Sequence, residues 1–204
     1  MVAARGDLAD IRLADRLFAP HYAAAVMRSV TARVPLRATF GGEALSEILP
    51  GEPFEVLELS KGHAWGASPV DGAVGFVEIA ALGSYAEPAT GDIDAAEDFV
   101  AVAEGLIGTP ALAGGRSAAG LDGPGLVFLA LLRAGIRAPR FVDLQTTIGH
   151  AVGDDAPIIR GDLIFAGGDI AIATDDTHVL RVNDKVEKIS VSEFGPITAR
   201  RRLP

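Results

Sequence analysis

A buried helix behind a glycine-rich loop is the feature that most constrains how this chain can fold. Residues 126–132 are all apolar, so a helix here has no polar face to turn to solvent and must lie in a core. Pro124 suits the first helical turn, where the missing N–H is not needed, and Gly135 suits a left-handed residue after the last turn. The loop at 105–125 delivers backbone N–H groups to the start of this helix. The sequence therefore predicts a central helix whose N-terminus can hold an anion or a reactive side chain.

Composition and charge exclude several classes of protein. The chain has 204 residues, of which 49% are hydrophobic, so it has room for one large or two small domains. Its net charge of −9 argues against binding to nucleic acid or to anionic membranes, because both need a basic surface. The longest apolar run, 126–132, falls well short of the roughly 18 residues of a membrane-spanning helix. We therefore predict no membrane span and no nucleic-acid partner.

Two absences in the sequence bear on location and chemistry. Residues 1–10 contain no apolar stretch of the secretory type, which predicts a cytoplasmic protein as the sequence stands. A periplasmic or cell-wall location stays open if a leader has been removed. The chain contains no cysteine, which excludes disulfides, thiolate metal sites and thiol catalysis together.

The first part of the chain is predicted to be a helix followed by short strands. Asp7 can cap an amphipathic helix over 7–18, with Pro20 as its stop. This helix forms an N-terminal helical arm, residues 1–28, which we expect to pack on a domain. From residue 29 to residue 88, short strands with close turns predict a small barrel. The predicted strands lie at 33–40, 53–59, 64–68 and 73–79.

The second part mixes helices and strands after a linker at 85–92. Asp92 or Asp94 is expected to cap a helix that runs to Ile107, and a short helix is expected over 141–152. The remaining strands are predicted at 158–165, 170–174, 178–182 and 186–191. The three arginines at 200–202 are interpreted as a solvated tail rather than a binding patch.

Five short motifs of the second part resemble one known family. They are Gly-Thr-Pro at 108–110, Gly-Gly-Arg-Ser at 114–117, Gly-Leu-Asp at 120–122, Pro-Arg at 139–140 with Gln145, and Arg-Gly-Asp-Leu at 160–163. In this order they look like the NlpC/P60 cysteine peptidases, papain-like hydrolases that cut peptidoglycan stem peptides, over roughly residues 95–194. In the first part, the runs at 62–66 and 71–77 resemble bacterial SH3 domains, which commonly precede NlpC/P60 domains.

The two resemblances together imply an α+β protein with two domains. An SH3-like barrel at 29–88 is expected to follow the N-terminal arm. A papain-like NlpC/P60 domain at 92–204, with helices packed on an antiparallel sheet, is expected to form the rest of the chain.

The positions that carry catalysis in the family are changed in this chain. The family has Asp-Cys-Ser-Gly where this chain has Asp-Gly-Pro-Gly, so Gly123 occupies the position of the nucleophile. Asp169 stands where the family has its histidine, and Arg181 falls at the third polar position. Glycine has no side chain that could attack a carbonyl. As a hypothesis, Asp169 and Arg181 form an ion pair across neighbouring strands, and this pair closes the cleft that holds the substrate in the resembled family.

Substitutions are also concentrated on the substrate side of the resembled cleft. Aromatic residues of the family are replaced by alanines, and its Asp-Ser pair is replaced by Phe141 and Val142. Two interpretations follow: these side chains form an apolar surface for a partner, or they merely fill the emptied cleft. The candidate cleft for a ligand or partner consists of Ala111, Ala113, Arg116, Asp122, Pro124, Phe141 and Val142.

The interpretation that the resemblance favours is a non-catalytic homologue. It would bind a peptidoglycan-derived peptide (a muropeptide) or a protein partner, such as another NlpC/P60 chain or a second copy of itself. One alternative is an active cell-wall hydrolase of the γ-D-glutamyl-L-diamino acid endopeptidase type that uses a non-standard site. Another is a purely structural subunit without a ligand.

Other candidate residues give weaker signals. Ser117 lies in a glycine-rich loop without the Gly-x-Ser-x-Gly elbow of a nucleophile, which favours a turn residue. Trp65 is interpreted as a core aromatic in preference to a ligand platform. The histidines lack ligand spacing, so we predict no metal site and no cofactor. These histidines are His21, His63, His150 and His178.

Overall fold

The computed structural model describes residues 2–87 and 98–204, which fall into two compact units, Met1–Thr90 and Gly91–Pro204. Both units are built on antiparallel sheets, and the α-helices of the described residues all lie in the second unit. The predicted α+β fold class is confirmed. None of the helices in these two ranges is long and apolar enough to cross a membrane.

The N-terminal unit consists of short strands. They are β1 (Leu8–Asp10), β2 (His21–Ala23), β3 (Val26–Val30), β4 (Val34–Arg37), β5 (Ala44–Ile48), β6 (Pro53–Ser60), β7 (His63–Ala67), β8 (Val74–Glu78) and β9 (Leu82–Gly83). Seven of them form one antiparallel sheet in the order β5-β4-β8-β7-β6-β3-β9. All four strands predicted for this region are present. The apolar residues of alternating positions, Leu36, Phe54 and Val77 among them, are buried in its core.

Strand β5 was not predicted from the sequence, because its buried residues include polar ones. Ser46 and Glu47 are 0% and 5% exposed, which hides the alternation of apolar and polar residues that marks a strand. Their burial is compensated by partners, since Ser46 Oγ donates to Asp71 Oδ2 at 2.6 Å and Arg33 donates to Glu47.

The helix predicted over residues 7–18 is wrong. The segment contains strand β1, paired in parallel with β2, and a single 3-10 turn at Ile11–Leu13. Asp10 explains this turn, because its carboxylate accepts from Arg12 N at 2.8 Å and pairs with the Arg12 guanidinium. The expectation that the arm packs on a domain is confirmed, since Leu8 lies in one buried cluster with Trp65.

The C-terminal unit packs helices on a six-stranded antiparallel sheet with the order β12-β17-β13-β14-β15-β16. Its elements are α1 (Phe99–Glu104), β10 (Arg116–Ser117), β11 (Gly120–Leu121), α2 (Gly123–Arg133), α3 (Val142–Gln145), β12 (His150–Ala151), β13 (Leu163–Ala166), β14 (Asp169–Ala173), β15 (His178–Val182), β16 (Val186–Ser190), α4 (Val191–Phe194) and β17 (Ile197–Arg202).

Helix α2 is the predicted central helix. Its residues from Leu126 to Leu131 are buried among side chains of α1 and of the sheet. Pro124 lies in its first turn, and Gly135 follows its end with φ of 73°, in the left-handed region. The prediction of a fully buried helix with these two boundary residues is confirmed.

Several boundaries in this unit differ from prediction. Helix α1 is capped by Asp98, which accepts from Val100 N at 2.8 Å, whereas Asp92 and Asp94 lie outside the described residues. The helix predicted over 141–152 is wrong beyond α3, since His150 and Ala151 form strand β12. The strand predicted at 158–165 begins only at Leu163, because Gly161 has φ of 90°, which is incompatible with an extended strand.

The arginines at 200–202 do not form a solvated tail. They belong to strand β17, which pairs with β13 inside the sheet. Arg200 is 6% exposed and donates to the carbonyl oxygens of Gly153 and Ala156. Arg202 pairs with Asp162, which is fully buried, at 2.7 Å. The charges of the three arginines concealed this strand from the sequence analysis, because the partners of Arg200 and Arg202 lie about 40 or more positions away along the chain.

Candidate functional site

The site is built around the N-terminus of α2, where the Asp122 carboxylate makes three hydrogen bonds. Its Oδ1 accepts from Gly125 N at 2.7 Å, which caps the helix. Its Oδ2 accepts from Gly114 N at 3.0 Å and from Arg140 Nη2 at 2.7 Å. The same carboxylate therefore holds the helix, the preceding loop and a cationic side chain.

Two buried polar side chains complete this network. Arg140 is 1% exposed, and its Nη2 also donates to the carbonyl oxygen of Gly115 at 3.3 Å. Gln145 is fully buried, and its Nε2 donates to the carbonyl oxygens of Pro124 and Pro139 at 3.0 and 2.9 Å. Neither side chain was proposed as a site residue from the sequence. The signal was present, because the Pro-Arg pair and Gln145 belong to the motifs that resemble the family.

Close packing requires a glycine at position 125, the last residue of the Asp-Gly-Pro-Gly segment. A Cβ atom at this position would lie 2.0 Å from the carbonyl oxygen of Gly115 and 2.8 Å from Asp122 Oδ1. The loop and the helix approach each other so closely that no larger residue fits without moving the backbone. This glycine is required for packing, independently of any chemistry.

Gly123 lies against the carboxylate of Asp169. A Cβ atom on residue 123 would lie 2.2 Å from Asp169 Oδ1, 3.3 Å from Asp169 Cγ and 3.5 Å from the carbonyl oxygen of Ile170. Asp169 is the first residue of β14, and its Oδ1 accepts from Ile170 N at 2.8 Å. The space in which a side chain of residue 123 would begin is therefore occupied by a carboxylate oxygen.

The environment of Asp169 disfavours its charged form. Burial raises the pKa of the Asp169 carboxyl above its ordinary value, and the negative charge of Asp122 acts in the same direction. The Ile170 N–H and the charge of Arg181 oppose this rise in pKa without cancelling it. The carboxyl of Asp169 is thus partly buried, and it lies next to Gly123, which has no side chain.

The predicted ion pair between Asp169 and Arg181 is wrong. Arg181 instead pairs with Glu187, with 2.9 Å between Arg181 Nη2 and Glu187 Oε1. The register of the sheet is the cause, because Arg181 on β15 lies directly opposite Glu187 on β16. Arg181 therefore influences Asp169 only at longer range.

The seven predicted cleft residues differ in their exposure. Ala111 and Ala113 are exposed, and Asp122, Pro124, Phe141 and Val142 are each partly exposed. Val142 also packs against the main core of the unit. Arg116 is 1% exposed, and its guanidinium carbon lies 5.5 Å from the centre of the Phe128 ring. Arg116 is thus a buried residue rather than part of an open polar lining.

The weaker candidates have structural explanations. Trp65 is 4% exposed and lies under the guanidinium of Arg5, 4.4 Å from its ring centre, which confirms the core interpretation. Ser117 Oγ accepts from Ala119 N in the β10–β11 turn. His178 contacts Asp175 at 3.0 Å on the surface. Within residues 2–87 and 98–204, no three potential metal ligands come together.

Comparisons with known proteins support the interpretation of the first unit. Residues 36–82 match the family model described as the bacterial dipeptidyl-peptidase SH3 domain. This match begins within β4 and extends past β8 to Leu82, and the predicted SH3-like domain is confirmed. No curated protein matches the chain.

Solved structures similar to this chain come from the NlpC/P60 family. NlpC1 from Trichomonas vaginalis is 16% identical with a TM-score of 0.49, covering 87% of this chain and 69% of that protein. An NlpC/P60 family protein from Bacillus cereus is 22% identical with a TM-score of 0.49, and the match covers 87% of this chain and 63% of that protein. RipD from Mycobacterium tuberculosis is 25% identical with a TM-score of 0.47, and the match covers 53% of this chain and 96% of that protein. RipD is described as a non-catalytic NlpC/p60 domain protein adapted to peptidoglycan binding. TM-scores of this size do not by themselves assign a function.

The Asp122–Arg140 pair gives a prediction for stability. Asp122→Asn keeps a side chain that can cap α2 but removes the negative charge beside a buried guanidinium. We expect the free energy of unfolding of the C-terminal unit to fall by about 3 kcal/mol. The measurement is urea unfolding followed by the helical circular dichroism signal, because the α-helices described belong to this unit.

Asp98→Asn is the matched control, since Asp98 also caps a helix and pairs with an arginine. The Arg160 side chain is 40% exposed, whereas that of Arg140 is 1% exposed. The control should lose less than about 1 kcal/mol. Equal losses in the two variants would contradict the importance of the buried pair.

The raised pKa of Asp169 predicts a dependence on pH. Asp169→Asn should make the C-terminal unit more stable than the native protein at neutral pH, because the native carboxylate is held in an unfavourable environment. The native protein loses stability through this group as the pH rises from about 3.9, the ordinary value of an unfolded aspartate, through the higher pKa in the fold. The two proteins should therefore converge at low pH. Asp176→Asn, at an exposed turn position, should show no such gain, and a variant less stable than the native protein at neutral pH would refute the prediction.

Proposed function

We propose that this chain is a non-catalytic protein of the NlpC/P60 type that binds a peptidoglycan-derived peptide at the N-terminus of α2. One observation carries the proposal: the nucleophile position is Gly123, and the Asp169 carboxylate fills the space of its missing side chain. Cysteine peptidases depend on a thiolate at such a helix start, activated by a neighbouring base. This chain places a carboxylate acceptor there instead.

A non-standard hydrolytic mechanism finds little support at this place. Two carboxyl groups that share a proton could in principle activate water, as in aspartic peptidases. Asp122 is unsuited to that role, because its two oxygens accept from Gly125, Gly114 and Arg140. A lone Asp169 without a nucleophile or a second free carboxyl supports binding better than chemistry.

The proposed binding surface is formed by the predicted cleft residues that reach solvent. Ala111 and Ala113 are small and exposed, and the rings of Pro124 and Phe141 are partly exposed. A peptide could cover these apolar groups with its side chains. A protein partner, either another NlpC/P60 chain or a second copy, would use the same surface.

We further propose that residues 29–88 and 92–204 are the two functional domains, which the division into compact units at Thr90 supports.

The test combines product analysis with calorimetry on the full chain. Incubation with a peptidoglycan stem tetrapeptide should release no product by mass spectrometry, while titration with the same peptide should show binding. Phe141→Ser should weaken binding by about tenfold or more, because burying one aromatic side chain contributes more than 1.4 kcal/mol. Phe18→Ser is the matched control, since Phe18 is 90% exposed on the N-terminal arm and should leave binding unchanged.

The other functions give different outcomes. Turnover that survives stringent purification would establish the active hydrolase and refute the proposal. Absence of peptide binding, together with a co-purifying protein lost from Phe141→Ser but kept by Phe18→Ser, would favour the partner. Absence of both would leave a purely structural subunit.

A further inference from the structure

The N-terminal unit contains a groove that the proposed function does not use. It lies on the face of the sheet between the β4–β5 turn and strands β7 and β8, and its volume is about 260 Å³. The residues that line it come from three strands and one turn. They are Pro35, Arg37, Gly41, His63, Phe76 and Glu78.

An exposed aromatic ring lies against two of the residues that line this groove. Phe40 is 46% exposed although it is a large apolar residue. Its ring centre lies 4.4 Å from that of Phe76 and 5.1 Å from that of His63, which it meets edge-on. These contacts fix the orientation of Phe40, so the groove offers a preformed aromatic wall to an apolar group.

Charges of both signs also face the groove. Arg37 lies opposite Phe76 in the sheet, and its Nη1 donates to the carbonyl oxygen of Gly42. Within residues 2–87 and 98–204 this is its one protein partner, so the remaining guanidinium N–H groups can reach a ligand. Glu78 lies opposite His63 and is exposed, and its carboxylate has no hydrogen bond or ion pair within the same ranges.

We propose that this groove binds a small zwitterion, namely an amino acid or short peptide with a free ammonium and a free carboxylate group. The ligand carboxylate pairs with Arg37, and the ligand ammonium pairs with Glu78. An apolar ligand side chain lies against Phe40 and Phe76. The groove thus offers one positive and one negative side chain, and a zwitterion carries the two matching opposite charges. This site lies in the N-terminal unit and is independent of the function proposed for the α2 surface.

The test uses the dipeptide alanyl-phenylalanine as probe, with the full chain observed by NMR and calorimetry. We expect saturable binding with chemical-shift changes at Phe40, His63 and Phe76. Glu78→Gln should weaken binding about fivefold, as for an ion pair at a partly exposed position. The substitution should leave the fold intact, because Glu78 is exposed and makes no contact of this kind within the described residues.

Changing the probe identifies which charge each residue recognises. N-acetylation of the dipeptide should cost the native protein about the same fivefold and should cost Glu78→Gln nothing further. C-terminal amidation should weaken binding to both proteins, because it removes the partner of Arg37. The probe is varied here rather than Arg37, since this side chain also holds the turn at Gly42.

Controls separate this site from the rest of the molecule. Glu87→Gln, at an exposed glutamate outside the groove, should bind the dipeptide as the native protein does. Phe141→Ser should also bind the dipeptide normally. A failure of the groove proposal can then be told apart from a failure of the function proposed for the α2 surface. The inference is overturned if the dipeptide does not bind up to its solubility limit. It is equally overturned if acetylation and Glu78→Gln weaken binding independently of each other.

Discussion

The hydrogen bonds of the Asp122 carboxylate hold the start of α2, the preceding loop and a buried arginine together. One oxygen caps α2, and the other accepts from the loop amide of Gly114 and from the buried guanidinium of Arg140. A guanidinium that is 1% exposed needs a compensating negative charge, because burying an unpaired charge is strongly unfavourable. Gln145 then fastens the first turn of α2 to the segment that carries Arg140. The position of the buried helix depends on this arrangement.

The residues that stabilise the fold are different from those that define the chemistry at its surface. Asp122, Arg140 and Gln145 secure the helix start whether or not residue 123 carries a reactive group. The place of such a group is taken by the carboxylate of Asp169, which lies on a different element, strand β14. A scaffold of this kind can keep its structure while its surface changes from catalysis to binding. Because of this separation, the fold alone does not determine the activity of the protein.

The sequence predicted what depends on local rules and missed what depends on partners far along the chain. Helix α2 was predictable, because an uninterrupted apolar run and Gly135 satisfy local requirements. Strand β5 was not, since the burial of Ser46 becomes acceptable only through Asp71, a residue 25 positions away. The same limit explains the failed ion pair at the site. Which residue faces Arg181 is decided by sheet register, and the register places Glu187 there.

The central proposal is that the Asp169 carboxylate occupies the space beside Gly123, where the resembled family has its nucleophile, and the most direct test is the thiol pKa of Gly123→Cys. The chain has no cysteine, so this thiol would be the one thiol in the molecule. A thiol beside a partly buried carboxylate should titrate above about 8.5 and react with iodoacetamide more slowly than that of Ala113→Cys, at an exposed loop position. Adding Asp169→Asn should lower its pKa, because the negative charge next to the thiol is removed while the helix N-terminus remains. A thiol that titrates below about 8.5 and reacts rapidly, whether or not Asp169 is replaced, would contradict the account.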